Sequence, residues 1–185
     1  MNKYRQNQNG FALLLAIIVS GVVLSVGLAM LSVTLKQLDL GINTIGSERA
    51  FQAAAAGMDC VRYLRNSQSD NFTQNGRTVN IECFDLGGQS MTDILSANSG
   101  DEPYFQRFQT RFDWGTGEET RCMQFDVNVI DAVEADRSWT TINHGTISCD
   151  EGDICTFAYV QGYNMSCGNL PNNRSAVVRE LSAEF

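Results

Sequence analysis

The chain has 185 residues, 43% of them apolar and 18% charged, which is the scale of one domain. Its formal charge is −8, from 13 Lys and Arg against 21 Asp and Glu, and that balance argues against a nucleic-acid backbone binder. One His in the whole chain, no phosphate-cradling Gly loop and no nucleophile elbow leave no recognisable catalytic machinery, so neither an enzyme nor a cofactor is expected.

Residues 1–10 are polar, with Lys3 and Arg5 as their only charges. Residues 11–35 then carry no charge at all, and Lys36 is the next charged residue. A bilayer core needs roughly 20 apolar helical residues, so this stretch is long enough to span. Lys3 and Arg5 favour a cytoplasmic N-terminus, which sends the rest of the chain outward.

Three readings of this segment compete. One is a permanent anchor, uncut. A second is a secretory signal cut after Ala29, leaving a start at Met30. Against it, a signal's apolar region runs to roughly 7–15 residues, and this one is longer. The third places the cut ahead of the apolar stretch, between Gly10 and Phe11.

A short basic leader, a Gly, then Phe and a long apolar helix resembles the class III signal of type IV pilins and pseudopilins. The likeness extends to residues 47–60, Ser-Glu-Arg-Ala-Phe-Gln-Ala-Ala-Ala-Ala-Gly-Met-Asp-Cys, which resembles the RAFQAAEAG stretch of PilX-type minor pilins. Together these parts cover about a third of the chain, residues 5–65. The resemblance implies cleavage after Gly10 by a prepilin peptidase and N-methylation of Phe11. It also implies a precursor in the bacterial inner membrane, its head outside the cytoplasm, then a place in a pilus or on the cell surface. The implied partners are other pilin subunits and the inner-membrane assembly machinery, and no direct nucleic-acid partner.

Two departures stand out. Most major pilins carry Glu at the fifth mature position, where it is thought to meet the N-terminal amine of a neighbouring subunit; here that position is Leu15. A minor subunit, placed at the tip, is therefore the expectation, with Leu15 as the residue that sets its position. Ala55 also replaces the family's Glu in the downstream stretch, and no function attaches to that change.

No Pro interrupts residues 11–66, so the helix is expected to continue out of the membrane to Arg65, about 80 Å in all. Leu35, Leu38, Ile42 and Ile45 form one apolar stripe, and Ala53, Gly57, Cys60 and Leu64 another. Glu48, Gln52, Asp59 and Arg62 lie opposite the second stripe, which makes this part amphipathic. Gly41 and Gly46 each weaken the helix by about 1 kcal/mol.

Beyond residue 66 the chain reads as a β-rich head. Residues 66–76 look like a loop. Alternation marks strands at 78–84, 107–114 and 122–129, each with one wet face; 139–147, 154–161 and 176–185 are further candidates. Residues 85–103 read as a long loop with one helical turn near Met91 to Leu95. His144 falls at a turn or strand end and is expected at the surface, whereas Trp139, Phe157, Tyr159 and Tyr163 are expected in the core.

The fold class that follows is α+β: a long N-terminal transmembrane and stalk helix packed on an antiparallel sheet, as in pilins. The expected divisions are a leader at 1–10, a transmembrane helix at 11–35, its continuation at 36–66, and a disulfide-bonded head at 67–185. The rival reading is a membrane-anchored adhesin or binding protein outside any filament.

All six Cys lie beyond the apolar stretch, on the side where disulfides persist, and none shows the Cys-x-x-Cys spacing of a zinc site. Six cysteines allow many connectivities, and sequence alone does not choose among them. Neighbouring placement favours Cys60 with Cys83 and Cys149 with Cys155, leaving Cys122 with Cys167. The loop between Cys149 and Cys155 holds Asp150, Glu151 and Asp153, a weak calcium candidate whose spacing does not match an EF-hand; no metal is otherwise expected.

Overall fold

The computed structural model describes residues 8–73, 77–83, 88–99, 102–141, 143–172 and 175–185. Residues 1–7 of the expected leader and Phe84 of the first expected strand lie outside them. The chain divides into two compact units, Met1–Thr44 and Ile45–Phe185. Helix α1, Gln8–Ser67, contributes to both.

In the first unit α1 is exposed all round, with no apolar side chain buried between Phe11 and Thr44. In the second unit the same helix becomes one-sided. Ala50, Ala53, Ala54, Gly57, Met58, Cys60, Val61 and Leu64 are buried, and Glu48, Gln52, Asp59 and Arg62 are exposed. The switch follows the sequence: α1 carries no charge before Lys36, and beyond Ile45 Glu48, Gln52, Asp59 and Arg62 recur on one stripe.

The second unit is an antiparallel sheet. Its strands are β1 (Thr78–Asn80), β2 (Ser90–Ser99), β3 (Glu102–Trp114), β4 (Arg121–Asp131), β7 (Ile154–Tyr163) and β8 (Val178–Glu184), in the spatial order β1-β2-β3-β4-β7-β8. A separate two-stranded hairpin, β5 (Arg137–Thr141) with β6 (Gly145–Cys149), interrupts the sheet between β4 and β7 in sequence. One helix and an antiparallel six-stranded sheet make the protein α+β.

The main core lies on one sheet face. Phe108, Phe112, Met123, Phe125, Val127, Val129, Ala158 and Val160 meet Ala53, Met58, Cys60, Val61 and Leu64 of α1. Register explains the set: Phe108 opposes Val127, Phe112 opposes Met123, and Val127 opposes Ala158, so all point one way. Small residues let α1 come close. A Cβ at Gly162 would stand 2.3 Å from both the Ala50 carbonyl oxygen and the Ala54 nitrogen. A Cβ at Gly57 would stand 2.7 Å from Val160 and 2.8 Å from Phe125.

Four local expectations change. First, residues 66–76 hold a short helix α2, Ser69–Thr73, whose Phe72 is fully buried and packs edge-on against Phe108 at 5.1 Å. Gln68 joins it to β1, donating from Nε2 to the Asn80 carbonyl at 2.8 Å and accepting from the Asn80 N–H at 3.1 Å.

Second, the expected loop at 85–103 is largely strand β2, paired with β3 through two register irregularities. Its Ser- and Asn-rich sequence lacks strand alternation; pairing with β3 overrides that weak preference. Third, 139–147 is not one strand but the β5–β6 hairpin, turning at Gly145 with φ +77°. The β-branched Thr140, Thr141, Ile142, Thr146 and Ile147 flank the turn on both sides and read as one strand-forming run.

Fourth, the second face of β4 is not wet: Cys122, Asp126 and Asn128 are all buried. The reason is a second apolar cluster on that face, comprising Phe105, Ile130, Ala132, Ile147, Cys149 and Phe157, with Tyr104, Trp139 and Tyr159 against it. Trp139 of β5 stacks on Phe105 at 4.1 Å and 13°, so the hairpin roofs this end of the sheet.

Candidate functional site

The longest exposed apolar surface is α1 before Ile45. Phe11 is 71% exposed and Leu15 53%, and residues 11–35 carry no charge on any side. The helix is long and apolar enough to cross a membrane, with a mean hydropathy of 2.7 over its best window and none of that window buried. Its few polar side chains are satisfied internally. Ser20, Ser25 and Ser32 donate to the carbonyls of Ile17, Val22 and Ala29, at 3.0, 2.8 and 2.8 Å, and Thr34 donates to Met30 at 2.9 Å. A hydroxyl that bonds its own helix needs no water, which suits an apolar surround.

Gly10 and Phe11, the expected processing site, lie within the first turns of α1, because the helix begins at Gln8. Leu15 is exposed a turn further on, on the same bare helix. Nothing else in the described chain covers either Phe11 or Leu15.

On the head the six cysteines are bridged as Cys60–Cys83, Cys122–Cys167 and Cys149–Cys155, with Cα separations of 5.8, 4.7 and 5.7 Å. The first ties α1 to the chain just past β1. The second ties the start of β4 to the β7–β8 connection. The third closes the β6–β7 turn. Asp113 approaches Cys122 and Cys167 closely, but disulfide sulfurs offer no thiolate, so this trio is not a metal site.

Asp150, Glu151 and Asp153 are exposed, and their carboxylates do not converge within ligand distance of one another. The turn they occupy is held by its backbone instead. Ala132 N–H donates to the Asp153 carbonyl at 2.9 Å, and Gly152 N–H donates to the Ala132 carbonyl at 3.0 Å. Glu151 N–H donates to Asp136 Oδ1 at 2.7 Å. The loop lies against the β4–β5 turn.

His144 is not a free surface residue. Its ring is half-buried and stacks on Tyr159 at 3.5 Å and 5°, with Nδ1 3.7 Å from Glu180 Oε1. Of the four aromatics expected in the core, Phe157 belongs to the second cluster and Trp139 and Tyr159 pack against it half-buried, whereas Tyr163 is half-buried outside both clusters, its hydroxyl donating to Gln161 Oε1 at 2.8 Å. Burial, then the negative charges of Asp126, Glu180 and Glu184, push the Tyr159 hydroxyl above its ordinary range.

One buried ion pair organises the second face. Arg107 of β3 grips both carboxylate oxygens of Asp126 on β4, with Nε to Oδ1 at 2.9 Å, and Asn128 Nδ2 donates to the same Oδ1 at 3.3 Å. The Asp126 hydrogen bonds raise the Arg107 guanidinium above its usual range, against the opposing pull of burial. On the core face of the sheet Arg65 donates from Nε to Thr156 Oγ1 at 2.8 Å, and burial lowers its guanidinium.

Gln106 escaped the sequence reading. It is 2% exposed on the core face, opposite Val129, with neither amide atom hydrogen-bonded. Extending the Phe108, Thr110, Phe112 alternation back by two residues would have placed it there. No protein-family model matches the chain, and no curated protein or solved structure matches it either.

Proposed function

We propose that this protein is a minor pilin or pseudopilin subunit that assembles into a type IV pilus-like filament and presents its head at the surface, at the tip. The observation that carries the reading is α1: one helix, uncharged and exposed on every side over residues 11–35 and one-sided after Ile45, leading into a disulfide-bonded antiparallel head. A helix exposed and apolar all round must be covered by lipid or by other helices. The Gly10–Phe11 junction and the stretch at residues 47–60 add the pilin likeness to that physical demand.

On this reading the precursor sits in the bacterial inner membrane, held with Lys3 and Arg5 inside. Prepilin peptidase cuts after Gly10, Phe11 is methylated, and the assembly machinery moves α1 from lipid to neighbouring pilin helices. The disulfides keep the head folded outside the cell. Its work is assembly and presentation, not catalysis.

The test is intact mass with N-terminal sequencing on protein from its native host. A methylated Phe11 start supports the filament reading. An intact Met1 supports an anchored adhesin or binding protein instead, and a start at Met30 removes the membrane helix and ends both readings.

A further inference from the structure

The two edges of the six-stranded sheet are finished differently. Strand β1 has three residues, and the side-chain amide of Gln68 bonds both the N–H and the carbonyl of Asn80, so that edge is short and stoppered. Strand β8 has seven residues, contains no Pro and keeps an unbroken register with β7. Among the described residues no strand pairs with its outer side. Proteins usually blunt such an edge with a Pro, a bulge or a cover.

Register decides which groups are left over. Phe185 exchanges both main-chain hydrogen bonds with Thr156, at 2.9 and 3.0 Å, and that arrangement recurs at every second residue of the ladder. Arg179, Leu181 and Ala183 therefore bond β7, and the N–H and C=O groups of Val178, Glu180, Ser182 and Glu184 point away from the sheet. All four of these residues are exposed.

We propose that the β8 edge is a docking site for an extended segment of another protein, one that alternates apolar and basic residues and adds to the sheet as a further strand. The main chain supplies the attachment, and the side chains on either side of the edge select the occupant. On the core side, Leu181 and Ala183 carry the apolar layer out to the edge. A flank of α1 runs along β8 there: Arg179 Nε donates to Ser47 Oγ at 2.8 Å, and the Arg62 guanidinium lies 5.9 Å over the Phe185 ring. Phe51 follows Ser47 by one turn on that flank and is 50% exposed, in the part of α1 that otherwise packs on the sheet. Alternate apolar side chains of an added strand would cover it.

On the opposite side the edge is acidic. Glu180 accepts from Gln161 Nε2 at 2.7 Å, Glu184 is exposed, and no Lys or Arg of β8 shares their face. Basic side chains on the added strand complement that charge. The same carboxylates act against a second copy. Antiparallel registers with the longest overlap set Glu180 opposite Glu180 or Glu184 of the copy, or diagonal to Glu184, and like charges so placed are destabilising. The edge belongs to the head and stands whether or not α1 enters a filament.

The test is fluorescence anisotropy on the full chain in a non-ionic detergent at physiological ionic strength. The probes are labelled synthetic peptides of alternating Lys and Val, and of alternating Glu and Val. The Lys-Val peptide is expected to bind saturably, and the Glu-Val peptide about tenfold more weakly or worse. Ser182→Pro deletes one outward N–H and leaves the ladder to β7 whole, so it should weaken Lys-Val binding about tenfold, whereas Ser182→Ala binds as wild type. Glu184→Lys keeps every main-chain group and should weaken binding by about as much through charge alone. Amide exchange followed residue by residue should be fast at Glu180 and Ser182 in the free protein and slow with peptide, and slow at Leu181 and Ala183 in both. No saturable Lys-Val binding, or equal binding by wild type and either Ser182→Pro or Glu184→Lys, would overturn the proposal. So would a concentration-dependent dimer that Ser182→Pro abolishes, which gives the edge to a second copy.

Discussion

Gly162 of β7 and Ala50 of α1 meet backbone to backbone: a Cβ at 162 would lie 2.3 Å from the Ala50 carbonyl oxygen. No rotamer can relieve that contact, because the atom it strikes is main chain. Gly162→Ala is therefore expected to push α1 off the sheet, at a cost of about 3 kcal/mol or more. Gly41→Ala is the matched control, with nothing within 4 Å of its Cβ, and should leave head stability unchanged. Chemical unfolding of both variants in detergent checks the pair.

The three disulfides close loops of very different size, with sequence separations of 45, 23 and 6. Loop-closure entropy grows with the logarithm of length. Replacing Cys122 and Cys167 together by Ser should then cost the most, and replacing Cys149 and Cys155 the least. The expected spread between them is about 2 kcal/mol, read from the unfolding midpoints of the three double variants.

Asp126 is the buried anchor of Arg107 and also accepts from Asn128. Asp126→Ala leaves the guanidinium without its carboxylate and is expected to cost about 3–5 kcal/mol. Replacing both residues by apolar ones of similar size, Arg107→Met with Asp126→Leu, should cost much less, since no charge is then stranded. A double-mutant cycle on unfolding free energy separates the two outcomes.

Tyr159 sets an alkaline limit. Its phenol is held protonated by burial and by the carboxylates of Asp126, Glu180 and Glu184, so its folded value lies above the ordinary one of about 10. Above that ordinary value the unfolded chain ionises first. The stabilisation is complete below it and is lost as pH rises through the folded value. Tyr159→Phe removes this contribution, so its stability should fall less steeply than wild type above about pH 10. Unfolding midpoints across an alkaline pH series provide the measurement.

On the filament reading, Leu15→Glu restores the carboxylate that most major pilins carry. The expected outcome is that surface filaments persist and the subunit's share of them rises, measured by immunoblot of sheared filaments. Loss of the subunit from filaments would mean that Leu15 itself is needed for incorporation.

Where one periodicity ruled, the sequence could be read directly. The charge-free run from residue 11 to 35 is α1, and the Ala53, Gly57, Cys60, Leu64 stripe is the face buried on the sheet. Strand β4 was legible on one face only, because its other face is covered by a hairpin from elsewhere in the chain. The same hairpin carries half-buried His144, whose stacking on Tyr159 depends on a turn that alternation does not reveal. Strand β2 was illegible for a different reason: its residues are polar, and its strand character comes from pairing with β3.

Cys60–Cys83 has a mechanical consequence. A pull applied to the N-terminal side of α1 loads the head along two paths. One is the sliding contact of Ala50, Ala53 and Ala54 on Gly162, which yields by shear. The other is covalent, from Cys60 into the chain behind β1, and it cannot yield while the bridge is oxidised. Under tension the bridge passes load from residue 60 directly to the β1 edge of the sheet, so the chain between Cys60 and Cys83 is spared the pull.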